Sequence, residues 1–178
     1  MGNRGKLHDD QGRIVRNAET KRWIACLLEF GEVRRSIFSD SYSELFFLDE
    51  ATAFSAGHRP CAQCQRGRYN AFREAWATGN GLSGQLGADD IDAALRSEAT
   101  EGPHFRKVGE LPLGTFFCIQ ETAFAVCPQG PRKWSFFGYE MAADVQGNLP
   151  VRLLTPVSIV NAFRAGFTPL LHRSARTE

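Results

Sequence analysis

The sequence predicts an α+β protein: a small N-terminal sheet with short helices around a Cys-x-x-Cys turn, followed by an antiparallel β unit with a closing C-terminal helix. Three observations support this. Short segments with helix caps follow the first apolar runs. Aromatic and β-branched runs follow residue 103, and a capped helical pattern comes near the end. We divide the chain into residues 1–102 and 103–178, which we expect to form one compact unit.

The composition is that of an ordinary globular protein. Of 178 residues, 43% are hydrophobic and 23% are charged, and the net charge of +1 argues neither for nor against nucleic acid. We find no secretory signal pattern and no apolar stretch near the roughly 18 residues that span a bilayer. We therefore expect no membrane partner and a cytoplasmic location. The five cysteines are an odd count, which disfavours a disulfide framework.

Three apolar runs near the N-terminus are candidate strands. Residues 22–30 form a nearly continuous apolar run, which fits a buried strand or a short buried helix equally well by periodicity. We favour a strand, because residues 31–38 resemble a hairpin partner. Residues 42–48 give a third candidate.

Helix signals are clearest at residues 50–56. Asp49 is a good N-cap, Gly57 suits the position after the helix, and Pro60 prevents continuation. Two longer helical patterns follow a short way along the chain, at residues 66–77 and 88–99, separated by a glycine-rich loop.

Strand patterns dominate the second half of the chain. Residues 115–127 and 133–145 are rich in aromatic and β-branched side chains and are separated by the turn-forming sequence PQGPR. Residues 149–155 give a further strand. A final helix is predicted at residues 156–166, with Thr155 as its cap and Pro156 as its first residue.

Two similar segments, FSAGHRP and FRAGFTP, each end a predicted helix. Both place Ala-Gly and then proline at the same offsets, with His58 in one segment where the other has Phe167. We interpret both as helix stops, in which glycine takes a left-handed conformation and proline blocks another turn. The comparison also favours a packing role for His58.

The first of these segments continues into the pair Cys61 and Cys64. Two thiolates separated by two residues suit a tetrahedral zinc ion, and nearby arginines favour the thiolate form. A redox or purely structural pair is the alternative. One pair is half of a zinc site, and the residues that could complete it are Cys26, His8, His58, His104, Cys118 and Cys127.

The stretch ELFFLDEATAFSAGHRPCAQC, which ends at Cys64, resembles the Ada-type metal-binding domain, a zinc module of DNA alkylation repair that also accompanies some nucleases. The resemblance covers about twenty residues, carried by a strand, a short alanine-rich helix and Gly-aromatic-Arg-Pro-Cys-x-x-Cys. The matching residues are Phe46, Ala51, Ala53, Ala56, Gly57, Arg59, Pro60, Cys61 and Cys64.

The resemblance implies a zinc ion with four protein ligands, of which Cys61 and Cys64 would be the second pair. The first pair of Ada, Cys-x-x-x-Cys, has no counterpart in this sequence, so no alkyl-transfer activity is inferred. In the nuclease-linked modules an upstream histidine near a small-residue turn helps to bind the metal, and His8 stands in a similar segment. His8 and Cys26 are thus the expected remaining ligands.

Basic residues cluster around the same region and suggest contact with DNA or RNA. If the N-terminal segment folds beside the cysteine turn, exposed arginines could contact phosphates. The expected nucleic-acid-binding residues are Arg4, Arg13, Arg59, Arg66 and Arg68.

Three functions remain open at this point. The leading one is a zinc protein that binds or processes nucleic acid. The second is a metal-dependent enzyme of unknown reaction with a pocket between its lobes, in which His8, Asp9 or a metal-bound water could act. The third is a structural or regulatory protein-interaction module.

Overall fold

A computed structural model describes residues 1–31, 42–84, 86–141 and 145–176. It shows an α+β fold with a small sheet, a larger antiparallel sheet and helices that include one near the C-terminus, which confirms the predicted class. The hairpin partner predicted at residues 31–38 lies almost wholly outside the described residues. Among the described helices, none combines the length and apolar character needed to cross a membrane.

The small sheet has four strands of two residues each, in the order β3-β1-β2-β4. Strand β1 pairs antiparallel with β2 and β3, whereas β2 pairs parallel with β4, with Ala25 opposite Pro60. The predicted strands at 22–30 and 42–48 are therefore present but shorter. The four strands are β1 (Gly2–Asn3), β2 (Ile24–Ala25), β3 (Glu44–Leu45) and β4 (Arg59–Pro60).

The large sheet has six strands in the order β5-β10-β6-β7-β8-β9, and all neighbours are antiparallel. Adjacent residues Phe116 and Phe117 point to opposite faces and are buried in separate apolar clusters, so the sheet is covered on both sides. The strands are β5 (Phe105–Lys107), β6 (Phe116–Ile119), β7 (Thr122–Cys127), β8 (Gly130–Ser135), β9 (Gly138–Met141) and β10 (Pro150–Leu153).

Each long aromatic stretch forms two strands instead of one. The stretch 115–127 turns at Gln120, whose φ of 53° is left-handed, and the stretch 133–145 turns at Phe136 and Phe137. The sequence signal failed here because neither turn contains the usual Asn-Gly or Asp-Gly pair, and the second is made of exposed phenylalanines.

Four helices lie in the described residues, close to the predicted positions. Asp49 caps the first helix, since its carboxylate accepts a hydrogen bond of 2.8 Å from the Thr52 N–H. At the final helix Pro156, not Thr155, occupies the cap position. The helices are α1 (Glu50–Ser55), α2 (Arg66–Gly79), α3 (Ala88–Glu98) and α4 (Val157–Arg164).

The two helix stops have the same geometry. Gly57 and Gly166 have φ angles of 74° and 105°. In each case the N–H of the next residue bonds back into the helix: His58 to the Ala53 carbonyl at 3.0 Å and Phe167 to the Ala162 carbonyl at 3.1 Å. The two similar sequence segments therefore form the same helix-ending structure.

The helices share one apolar core, to which residues from both halves of the chain contribute. Phe54, Phe72 and Ile91 from the first half pack with Ile159 and Phe163 of α4. On its other side α4 faces the large sheet. It therefore holds the helical layer against the β unit.

We predict that Gly79→Ala lowers the free energy of unfolding by about 2–3 kcal/mol. A β-carbon at residue 79 would lie 2.2 Å from the Asn161 carbonyl oxygen, so α2 and α4 would have to separate. Gly67→Ala in the same helix is the matched control, because its β-carbon meets nothing within 4 Å. We expect that control to be neutral or stabilising in urea denaturation. Equal losses in both variants would contradict the close helix contact.

Candidate metal centre

Three cysteines from distant parts of the chain converge at the end of the small sheet. Cys26 follows β2, Cys61 follows β4, and Cys64 lies in the turn that leads into α2. Because β2 and β4 run parallel with Ala25 opposite Pro60, the residues that follow them emerge side by side. Their three sulfur atoms lie within 4.8 Å of one another. Cys26 and Cys61 are buried, and Cys64 is partly exposed.

Hydrogen bonds fix the turn that carries the cysteines. The Cys61 N–H and the Gln65 side-chain amide both donate to the Ala25 carbonyl, at 2.9 and 2.8 Å. The Leu27 N–H points at the Cys64 sulfur at 3.4 Å. These contacts tie the β2 end to the Cys-x-x-Cys turn, so the sulfurs are held together by the backbone.

The thiols influence one another's protonation. Burial raises the pKa of Cys26 to about 12, and the neighbouring Cys61 and Cys64 add to the rise. Burial also acts to raise the pKa of Cys61, but hydrogen bonds from the Cys64 and Gln63 backbone outweigh it, so the net pKa is lowered. Hydrogen bonds from the turn backbone thus favour the ionised form of the Cys61 sulfur.

Such a cluster could hold a metal ion. Thiolate sulfur is a soft donor that favours ions such as Zn²⁺ over Mg²⁺ or Ca²⁺. Within the described part of the chain, the group whose donor atoms all lie this close consists of Cys26, Cys61 and Cys64. The structure therefore brings together three of the four residues expected as ligands.

His8, the fourth expected ligand, lies outside this group. It is buried, its Nδ1 contacts the Ser43 hydroxyl, and it forms an isolated β-bridge with Ile14. The N-terminal segment does reach the cysteines, but through Met1, whose amino group donates to the Cys26 carbonyl at 3.0 Å. The loop that contains His8 packs against the β3 side instead.

The other residues considered as ligands also lie elsewhere. Cys118 donates to the Gln120 carbonyl at 2.6 Å, and Cys127 is buried with its pKa raised to about 12 by desolvation. His104 lies 3.3 Å from the Glu101 carboxylate. None of these belongs to the three-cysteine group.

His58 is packed between aromatic rings, as its alignment with Phe167 suggested. It is almost fully buried, and its ring contacts Trp23 and Phe47. Its Nε2 accepts a hydrogen bond of 3.2 Å from Arg4. Burial, helped by the Arg4 charge, lowers the pKa of His58 from 6.5 to about 3. The folded protein therefore keeps this imidazole neutral.

We predict that stability falls as the pH drops from 6.5 toward 3, by up to about 1.4 kcal/mol per pH unit from His58 alone. In this pH window the imidazole of residue 58 is protonated in the unfolded chain but stays neutral in the folded protein. Acid therefore favours unfolding. His58→Phe keeps an aromatic ring and removes the titration. Urea denaturation across this range should give a shallower slope for the variant; identical slopes would contradict the neutral imidazole.

Arg59 does not fit the expected phosphate-binding role. Its guanidinium is 3% exposed and makes two hydrogen bonds of 2.8 Å to the equally buried carboxylate of Asp92. A phosphate could reach it only by displacing this ion pair. The role inferred for Arg59 from sequence is therefore replaced by a structural one, which links β4 to α3.

Arg4 and Arg68 are also engaged inside the protein. Arg4 lies 3.8 Å from the centre of the Trp23 ring and donates to the Ala56 carbonyl at the end of α1. Arg68 pairs with the Glu50 carboxylate and donates to the Thr168 carbonyl at 3.0 Å. Both guanidinium groups already have acceptors, which leaves little capacity for phosphate contacts.

Two of the expected nucleic-acid contacts remain at the surface. The Arg13 side chain is 70% exposed and pairs with Asp9 at 2.7 Å. Arg66, at the start of α2, is exposed, and it makes no ion pair with another described residue. The five arginines thus do not form one continuous basic face.

A cavity of about 350 Å³ borders the cysteine cluster at Cys26. It lies between the N-terminal lobe and the segment that follows α4. Its walls include Leu28, Phe47, Leu170, Leu171 and His172. These five wall residues could not be predicted from the sequence, because no local pattern links residue 26 to residues 170–172.

Comparisons of the chain with protein-family models, with curated proteins and with solved structures gave no match in any of the three.

Proposed function

We propose that the protein binds one zinc ion through Cys26, Cys61 and Cys64. The observation that carries this proposal is the convergence of three sulfurs from two strands and a turn within 4.8 Å. The donor set contains no carboxylate and no imidazole, which fits zinc better than a hard cation. The Ada-like sequence pattern, itself still a prediction, supports the same ion.

The zinc ion would cross-link the N-terminal segment to the turn that leads into the helical layer. Cys26 belongs to the segment that precedes α1, and Cys64 leads directly into α2. The small sheet consists of two-residue strands, which supply few hydrogen bonds of their own. A shared ion would therefore contribute much of the stability of this lobe. A zinc–thiolate centre persists where thiols stay reduced, which agrees with a cytoplasmic location.

Metal analysis of protein purified under reducing conditions tests the proposal. We expect one zinc per chain, strongly reduced occupancy in Cys61→Ser, and full occupancy in Cys118→Ser. The latter is a matched control because Cys118 is a similarly buried thiol outside the cluster. Wild-type protein that holds no zinc after exposure to excess metal would refute the proposal.

Nucleic-acid binding is a second candidate function, in a narrower form than the sequence suggested. Its support is the exposed Arg66 beside the cysteine turn, together with the resemblance to a DNA-repair module. DNA or RNA binding carried by Arg66 and Arg13 should weaken steeply as salt rises. Titration of single-stranded and duplex oligonucleotides at low and moderate salt tests it, with Arg66→Ala expected to weaken binding. Absence of binding at low salt would exclude this candidate.

A further inference from the structure

A cavity of about 350 Å³ borders the cysteine cluster at Cys26. We propose that the zinc centre takes a small apolar thiol as its fourth ligand, bound in the cavity between Cys26 and residues 170–172. This rests on the proposed zinc binding and extends it from a structural centre to a ligand-binding one.

The cysteine cluster supplies fewer protein donors than a zinc ion takes. Zinc in proteins takes four ligands, and sites with three protein ligands keep the fourth position for water or substrate. In the described parts of the chain, the close group of potential ligand atoms contains three sulfurs. His8, which the sequence resemblance implied as a further donor, contacts Ser43 instead.

The cavity borders the cluster at Cys26, and the neighbouring Ala25 and Leu27 also line it, as does Gln65, which follows the cysteine turn. A ligand in this space would therefore lie beside Cys26. The cavity of about 350 Å³ is large enough for a small organic molecule.

The cavity walls are mostly apolar. Leucines, Phe47 and Ala53 make up half of the lining residues, and Met1, Ala25 and Cys26 add further apolar surface. The carboxylates that border the cavity are already engaged. Asp49 accepts hydrogen bonds from the Tyr139 hydroxyl and the His172 N–H, at 2.6 and 2.9 Å. Glu50 pairs with Arg68. The space therefore suits an apolar ligand better than a charged one.

A centre of three thiolates favours sulfur as the fourth donor atom. Three thiolates overcompensate the charge of Zn²⁺, so the centre has a net charge of −1 and polarises a bound water weakly. A thiol supplies the soft donor that such a centre accepts, as four-thiolate zinc sites show. On binding, the thiol releases its proton to solvent, its sulfur forms the Zn–S bond, and any water in that position leaves. No oxidation or reduction takes place.

Cobalt substitution makes this binding visible. Co²⁺ bound in place of zinc reports sulfur coordination through its visible and near-ultraviolet absorption. We expect benzyl mercaptan to change the spectrum saturably and 2-mercaptoethanol to bind at least tenfold more weakly, since it cannot fill the apolar walls. The cobalt content after desalting must remain at one per chain. An unchanged spectrum, or thiol that strips the cobalt, would overturn the inference.

A variant pair tests whether the thiol occupies this cavity. Leu170 lines the cavity and is 63% exposed, so Leu170→Ser should leave the fold and the cobalt site intact. We expect roughly fivefold weaker binding of benzyl mercaptan in this variant. Leu82→Ser, at a similarly exposed leucine outside the cavity walls, should bind like wild type. Unchanged affinity in Leu170→Ser would overturn the cavity assignment, whereas failure of wild type to bind cobalt or zinc would instead refute the proposed function.

Discussion

Cys26→Ser should make the protein insensitive to zinc and should lower its free energy of unfolding by about 4 kcal/mol when zinc is present at a thousand times its dissociation constant. The reason is linkage: an ion that binds the folded arrangement of Cys26, Cys61 and Cys64 stabilises that state, and the unfolded chain keeps the three sulfurs apart. Urea denaturation with added zinc and with a chelator measures this difference.

Two controls separate loss of the ion from loss of a buried sulfur. Cys118→Ser removes another buried thiol and should keep the full response to zinc, at a modest loss of stability. Chelator-treated wild type should match chelator-treated Cys26→Ser to within about 1 kcal/mol. A Cys26→Ser protein that still gains stability from zinc like wild type would contradict a role for this residue.

Arg59→Met should destabilise the protein by about 3–5 kcal/mol, because it leaves the Asp92 carboxylate buried without its partner. Both side chains are 3% exposed, and their two hydrogen bonds are each 2.8 Å long. The double variant Arg59→Met/Asp92→Leu should recover much of the loss, since it removes both charges together. Denaturant unfolding of the single and double variants gives the comparison.

Arg22→Ala is the control for charge at the surface. Arg22 lies 3.7 Å from Asp89, and their side chains are 69% and 84% exposed, so its loss should change stability by less than about 1 kcal/mol. If Arg59→Met were as mild as Arg22→Ala, the buried ion pair could not be an important link between β4 and α3.

The helix positions could be predicted from sequence because their signals are local. Asp49 as N-cap and the glycines at 57 and 166 each act within one turn of their helix, and all three behave as predicted. The predicted start of α4 was wrong by one residue, because Pro156 and not Thr155 is the cap residue. Such local patterns also placed Cys61 and Cys64 in a turn just ahead of α2.

The small sheet was harder to predict, because a two-residue strand has no periodicity. Strand β1 lies in an N-terminal segment interrupted by glycines, yet it pairs on both sides. A β-carbon on residue 2 would lie 2.4 Å from the Phe47 ring, so any larger residue would require that ring to move. Only tertiary contact shows why glycine stands at this position.

Two partners of the candidate site depend on long-range contacts that carry no local signal. Cys26 reaches Cys61 because β2 and β4 are parallel neighbours, which spacing alone does not specify. Asp92, on α3, neutralises Arg59 across 33 residues of sequence. These contacts also explain why the basic residues seen in sequence do not form a phosphate-binding surface.

X-ray absorption at the zinc edge, on zinc-loaded protein, tests the three-cysteine centre most directly. We predict three sulfur neighbours at about 2.3 Å, with one further ligand that is a light atom in the absence of added thiol. Cys26→Ser prepared in the same way should lose most of the zinc-edge signal, because it no longer holds the ion. A wild-type spectrum dominated by nitrogen or oxygen neighbours, or one with no more than two sulfurs, would contradict the centre.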